Sequence, residues 1–159
     1  MYSAHEISEE EHRAWFARMH NDHQSRWYVH MDQHRTPDGV VYFTQYRPDQ
    51  RSAFWGFYIG TEAKQGSGTY LGLEALDEAF FTLKLHKLNA EVLSTNEKSL
   101  RFHEKLGFVR EGHFREAHFN GEQYIDVVRF GILELEWSDL RDKISQDAMK
   151  YVSVSKISK

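Results

Sequence analysis

Apolar and polar positions repeat with a changing period along the chain, and each change of period marks an element. From Ser8 to Met19 the period is helical, with Trp15, Phe16 and Met19 on one side; Ser8 and Glu11 have the spacing of a capping box, and Glu9, Glu10 and Glu11 suit a first turn. Two extended runs, Arg26 to His34 and Val40 to Arg47, flank Thr36-Pro37-Asp38-Gly39 and predict a β-hairpin. The almost wholly apolar run Ser52 to Gly60 predicts a strand buried on both faces. A glycine-containing loop, Lys64 to Gly68, then enters a helix in which Leu71, Ala75, Leu76, Ala79, Phe80 and Leu83 recur at helical spacing. Leu88 to Ser94 reads as a strand, and Asn96 caps a short helix that stops at Gly107. Phe108 to Phe119 and Tyr124 to Trp137 are joined by Asn120-Gly121, a two-residue hairpin signal, and a polar helix from Ser138 to about Lys150 follows. Strands and helices alternate in the middle and hairpins stand at both ends, so the expected fold class is α/β with a mixed sheet.

Length and charge narrow the picture. With 159 residues, 40% of them hydrophobic, the chain suits one domain with one core. A formal net charge of -4 gives no reason to expect nucleic acid or an anionic membrane as the main partner, so any anion site must be local. There is no cysteine, no apolar run approaching the roughly 20 residues of a membrane span, and no basic-then-apolar leader pattern after Met1, which together fit a cytoplasmic protein. Ten histidines include His20-x-x-His23 and the pair His30 and His34, but no third ligand stands at convincing spacing, and no metal site is expected.

Three units could carry chemistry. Backbone amides of Lys64 to Thr69, the close approach allowed by Gly66 and Gly68, and the positive end of the next helix would cradle a pyrophosphate; a plain turn is the alternative. On the Asn96 to Leu106 helix, Asn96, Ser99, Leu100, His103 and Leu106 share one face, so His103 points inward as either a hydrogen-bonded core histidine or a proton carrier. Glu91 sits among Ala90, Val92 and Leu93, where a carboxylate needs a partner, a wet cleft or a raised pKa.

Together these units resemble the acetyl-CoA-binding core of the GNAT superfamily over Trp55 to Phe108. The loop Ala63-Lys64-Gln65-Gly66-Ser67-Gly68 keeps both family glycines but has Ala63 where the family has Arg or Gln. The resemblance implies a GNAT fold, a mixed sheet splayed around acetyl-CoA, with a domain over 1–137 and a C-terminal helix and tail over 138–159. It implies cofactor contacts from Phe57, Tyr58, Ile59, Lys64, Gln65, Gly66, Ser67, Gly68, Thr69, Asn96 and Ser99. Within the superfamily the chain looks most like the pseudaminic acid branch, through Met1-Tyr2, Ile7-Ser8, His12, Gly56-Phe57-Tyr58, Leu85-His86-Lys87-Leu88, Glu91-Val92 and Ile125-Asp126-Val127-Val128. That branch acetylates the 4-amino group of a UDP-linked amino-deoxy sugar, which would be held by Met1, Tyr2, His12, Trp15, Thr44 and Tyr58. Glu91 would be the base and His103, standing where the branch commonly has Tyr, the acid that protonates the coenzyme A sulfur. The branch has a strand before its Met-Tyr pair, so the fold is expected to lack its first strand, leaving an edge that favours a homodimer. The runner-up is an acetyltransferase acting on a ribosomal-protein N-terminus or a polyamine, for which an acidic acceptor cleft would speak. A non-catalytic acyl-CoA-binding module is the third reading.

Overall fold

The computed structural model describes residues 8–20, 22–32, 34–61 and 63–154, without the side chains at 12, 15, 16, 18–20 and 151–154. Helix α1 (Glu9–His20) opens as its spacing predicts: Ser8 N–H donates to Glu11 Oε2 (2.8 Å) and Glu11 N–H to Ser8 Oγ (3.2 Å). Strands β1 (Arg26–Met31) and β2 (Pro37–Arg47) form the first hairpin. β1 ends earlier than expected, because the Asp32 carboxylate accepts from the amides of His34 and Thr36 and folds that stretch into the turn. β3 (Ser52–Ile59) follows, then α2 (Ser67–Asp77), which continues into a π-helical turn, Glu78–Thr82. β4 (Lys87–Leu93), α3 (Glu97–Lys105), β5 (Val109–Phe119), β6 (Tyr124–Leu133) and α4 (Glu134–Val154) complete the order.

The six strands form one mixed sheet in the order β1-β2-β3-β4-β6-β5. Two boundaries differ from expectation. The β5–β6 turn runs over four residues rather than two, since Phe119 pairs with Tyr124 and Asn120 Oδ1 accepts from the amides of Glu122 and Gln123. The last helix starts at Glu134 rather than Ser138, with Glu136 Oε2 accepting from Leu133 N–H (2.9 Å).

Directly paired residues share a face of a sheet, and the pairings sort the strands into two surfaces. Tyr28, Val41, Phe43, Ala53, Trp55, Leu88, Ala90, Phe130 and Ile132 face α2, α3 and α4 and build the core, into which α4 also sends Trp137, Ile144 and Ala148. The opposite face is open: Trp27 stacks on Tyr42 (4.5 Å), and Gly56 makes room for the Tyr42 ring, which a Cβ there would meet at 2.3 Å. β3 is therefore buried on one face only, and Tyr58 on the open face is 52% exposed. No helix among the described residues is long and apolar enough to cross a membrane.

Candidate active site

The site begins where two parallel strands separate. β3 and β4 pair only through Ser52–Lys87, Ala53–Leu88 and Phe54–Asn89; beyond that, β3 from Trp55 to Ile59 and β4 from Ala90 to Leu93 diverge. A strand whose sheet-edge groups are released inside a sheet offers N–H and C=O groups to an extended ligand, which can lie along it as a further strand.

At the mouth of this gap lies the glycine loop. Gly66, at φ 94°, is the N-cap of α2 and brings no side-chain cap; Ser67 N–H donates to the Lys64 carbonyl (3.0 Å) and Thr69 N–H to that of Gly66 (2.9 Å), and the positive end of the helix dipole lies at this turn. A Cβ on Gly68 would stand 3.0 Å from Ile59 Cδ1, so a larger residue would push into the β3 side of the gap. Lys105, at the end of α3, donates its Nζ to Thr69 Oγ1 (2.9 Å) and sets a positive charge on this turn. Sequence reasoning missed Lys105, whose solvent-facing spacing on α3 carried no sign of a contact with another helix.

His103 is 3% exposed, boxed by Trp55, Phe57, Phe102, Phe108 and Phe130, with the Phe130 ring stacked at 5.3 Å. Its Nδ1 lies 2.7 Å from the Ser99 carbonyl oxygen, which can only accept, so Nδ1 carries the proton. Burial pushes the imidazole pKa below its ordinary value, with the Ser99 contact opposing. The ring is thus neutral at pH 7, with its lone pair on Nε2. Trp55, 5% exposed and T-shaped against His103, keeps a buried Nε1–H without a partner at the parting of the strands. Asn96 caps the helix, its Oδ1 accepting from Ser99 N–H (3.1 Å).

Glu91 is exposed rather than buried in its strand, because it pairs with Arg129 across to the open face. Arg129 places Nη2 at 2.5 Å and Nε at 3.1 Å from Glu91 Oε1 and covers Phe54, 4.5 Å from the ring centre. Arg129 went unread in the sequence, since its partner comes from a strand 38 residues away. Beside this pair lies a cleft of ≈ 350 Å³ lined also by Phe114, His118 and Val127. Thr44 and Tyr58 share the open face with Glu91. His103 stands on the opposite face, so the expected acid and base are separated by the sheet. Met1 and Tyr2 and the side chains of His12 and Trp15 lie outside the described residues.

A mixed sheet with parted parallel strands and a glycine-led helix start beside the gap is the arrangement of acyl-CoA-dependent acyltransferases. The chain matches the Acetyltransferase (GNAT) domain family over residues 1–109, and it belongs to that family. In sequence it is similar to a spermidine N(1)-acetyltransferase of Vibrio cholerae serotype O1, 41% identical over 63 residues, 40% of this chain and 36% of that protein. The Escherichia coli spermidine N(1)-acetyltransferase is 35% identical over 63 residues, 40% of this chain and 34% of that protein. These alignments span about a third of each relative. In structure, the chain resembles spermidine N-acetyltransferase from Vibrio cholerae in complex with CoA and spermine (TM-score 0.78, 31% identity, 86% of this chain and 80% of that one). The GNAT fold is therefore as expected, whereas the amino-sugar branch is overturned: these relatives and this structural neighbour are spermidine acetyltransferases.

Proposed function

We propose that the chain transfers an acetyl group from acetyl-CoA to a primary amine of a polyamine. The observation that supports this best is the fit, at TM-score 0.78 and 31% identity, to a spermidine acetyltransferase holding CoA and spermine. The residues at the gap suit the cofactor: the strand edge from Trp55 to Ile59 would hold the pantetheine arm, Lys64 to Thr69 with Lys105 the pyrophosphate, and the orphaned Trp55 N–H a carbonyl of the arm. When bound, acetyl-CoA supplies the acetyl group as an activated thioester.

On the acceptor side the chain must deliver a neutral amine. Glu91 is the candidate base, with Oε1 held by Arg129 and Oε2 left for the ammonium or an intervening water. His103 is the candidate acid for the leaving sulfur, but with Nδ1–H committed to Ser99 it can donate from Nε2 only as the imidazolium. The cleft at Glu91 is charge-matched by Arg129 rather than strongly acidic, so a polycation would need further groups for its recognition.

The test is release of coenzyme A across spermidine, spermine, peptide N-termini and UDP-linked amino sugars. Turnover with the two polyamines and not with the others is expected; absence of turnover with both overturns the reading. Glu91→Gln should lower kcat by roughly 10²-fold or more with stability unchanged, the lower end of what a general base contributes.

A further inference from the structure

A second concavity, of ≈ 180 Å³, lies on the helix-covered face between α2 and the outer strands β1 and β2, across α2 from the parted strands. Its floor is apolar, with Val41, Leu71 and Ala75 from the core. Tyr28, His30, Glu74 and Glu78 supply its polar atoms, and neither lysine nor arginine is among the described residues that line it.

His30 is the informative group. It is 6% exposed, and its ring is set edge-on to Tyr70 (5.9 Å between centres). Nδ1 lies 2.5 Å from Asp38 Oδ1, a carboxylate that only accepts, so this nitrogen carries the proton. In the neutral ring Nε2 is then a lone pair, and it is buried without a hydrogen-bond partner. Glu74 Oε2 stands 3.5 Å from it. With the ring in that form, two acceptors face each other across the 3.5 Å gap and neither can serve the other, and a buried acceptor left so is costly. Glu78 accepts from the Tyr28 hydroxyl (2.9 Å), which fixes its carboxylate on the same rim. No three metal-ligating side chains converge there among the described residues. What the cavity lacks is a cation that donates several hydrogen bonds from one centre.

We propose that this cavity binds a primary alkylammonium group. The ammonium donates to His30 Nε2 and to the carboxylates of Glu74 and Glu78, and the alkyl chain lies on the apolar floor. The volume, about six waters' worth at ~30 Å³ each, is ample for an aminopropyl or aminobutyl arm. The site is separate from the acetyl-transfer gap and does not depend on which amine is acetylated.

The experiment is a titration of ¹⁵N-histidine-labelled protein with spermidine and, separately, with propylammonium, read by long-range ¹H–¹⁵N correlation. The expected result is a His30 Nε2 resonance that moves saturably with either amine. In the Glu74→Gln, Glu78→Gln double variant the affinity should fall by at least roughly tenfold. An unmoved His30 resonance at millimolar amine, an imidazolium indifferent to amine, or unchanged affinity in the variant would each overturn the proposal. If the double variant fails to fold, the wild-type titration decides alone. Acetyl transfer measured on the same samples separates the two readings: a shift at His30 without turnover leaves this site standing and removes only the polyamine acceptor.

Discussion

A histidine enclosed by five aromatic rings has to stay neutral for its surroundings to stay dry. The pKa of His103 is depressed in the folded protein relative to the ordinary value near 6.5. Its contribution to stability is therefore complete above about pH 6.5 and is lost as pH falls through the lower folded value. Thermal melts from pH 7.5 to 5 should show the wild type losing stability on acidification, and His103→Phe should flatten that slope. If His103 is also the proton donor, the same variant lowers kcat by roughly 10² to 10⁴ at saturating substrate; full turnover per folded molecule would leave it as a core residue. At the glycine loop, Gly68→Val should raise the dissociation constant for acetyl-CoA by at least about tenfold, ~1.4 kcal/mol, measured by calorimetry, because the new side chain meets Ile59. At this scale the inward aim of His103 was legible, since helical spacing alone puts it beside Ser99, Leu100 and Leu106. The stacking on Phe130, and the Arg129 partner of Glu91, were not: both depend on β6, whose place next to β4 no local pattern reports.

Among elements, α2 and α4 share the apolar core and are also joined by one carboxylate. Asp77 Oδ1 accepts from Trp137 Nε1 (3.1 Å) and Arg141 Nε (2.8 Å), and Oδ2 from Arg141 Nη2 (2.7 Å). Asp77→Ala strands the indole N–H of a fully buried Trp137 and should cost about 1–3 kcal/mol in urea unfolding. Little of that would come from the partly exposed Arg141. Activity per folded molecule should persist. The start of α4 was misread for a physical reason: Leu133, Leu135 and Trp137 alternate with Glu134 and Glu136, a period that suits a strand, while Glu136 turns back to cap Leu133 and begins a helix. The π-helical turn at Glu78–Thr82 left no sign in an apolar spacing compatible with either helix. Most strand positions and the two capped helices were legible, because caps and turns are written in adjacent residues.

For the whole molecule, the parting of β3 from β4 leaves sheet-edge amides in mid-sheet, and hydrogen exchange should find them. Amides of Trp55 to Ile59 that face the gap should exchange faster than those of the paired Ser52 to Phe54 stretch, and should slow on addition of coenzyme A. The splay itself was anticipated through the family resemblance, whereas composition and spacing carried no sign of it. At the far edge of the sheet, β5 presents Val109, Phe114 and Phe119 to solvent, interleaved with Arg110, Glu111, Arg115 and Glu116. Its register also breaks twice, and Phe114 to His118 opposes only Val127 to Ile125, with Glu116 at φ 52°. Such a buckled, charged border is a poor template for another strand. Deleting Arg115 and Glu116 would straighten it, and light scattering should then grow with protein concentration and time while circular dichroism still reports a folded chain. The irregular strand should thus govern how long concentrated solutions of the protein stay clear, a shelf-life property set by backbone kinks on the border of the cleft at Glu91.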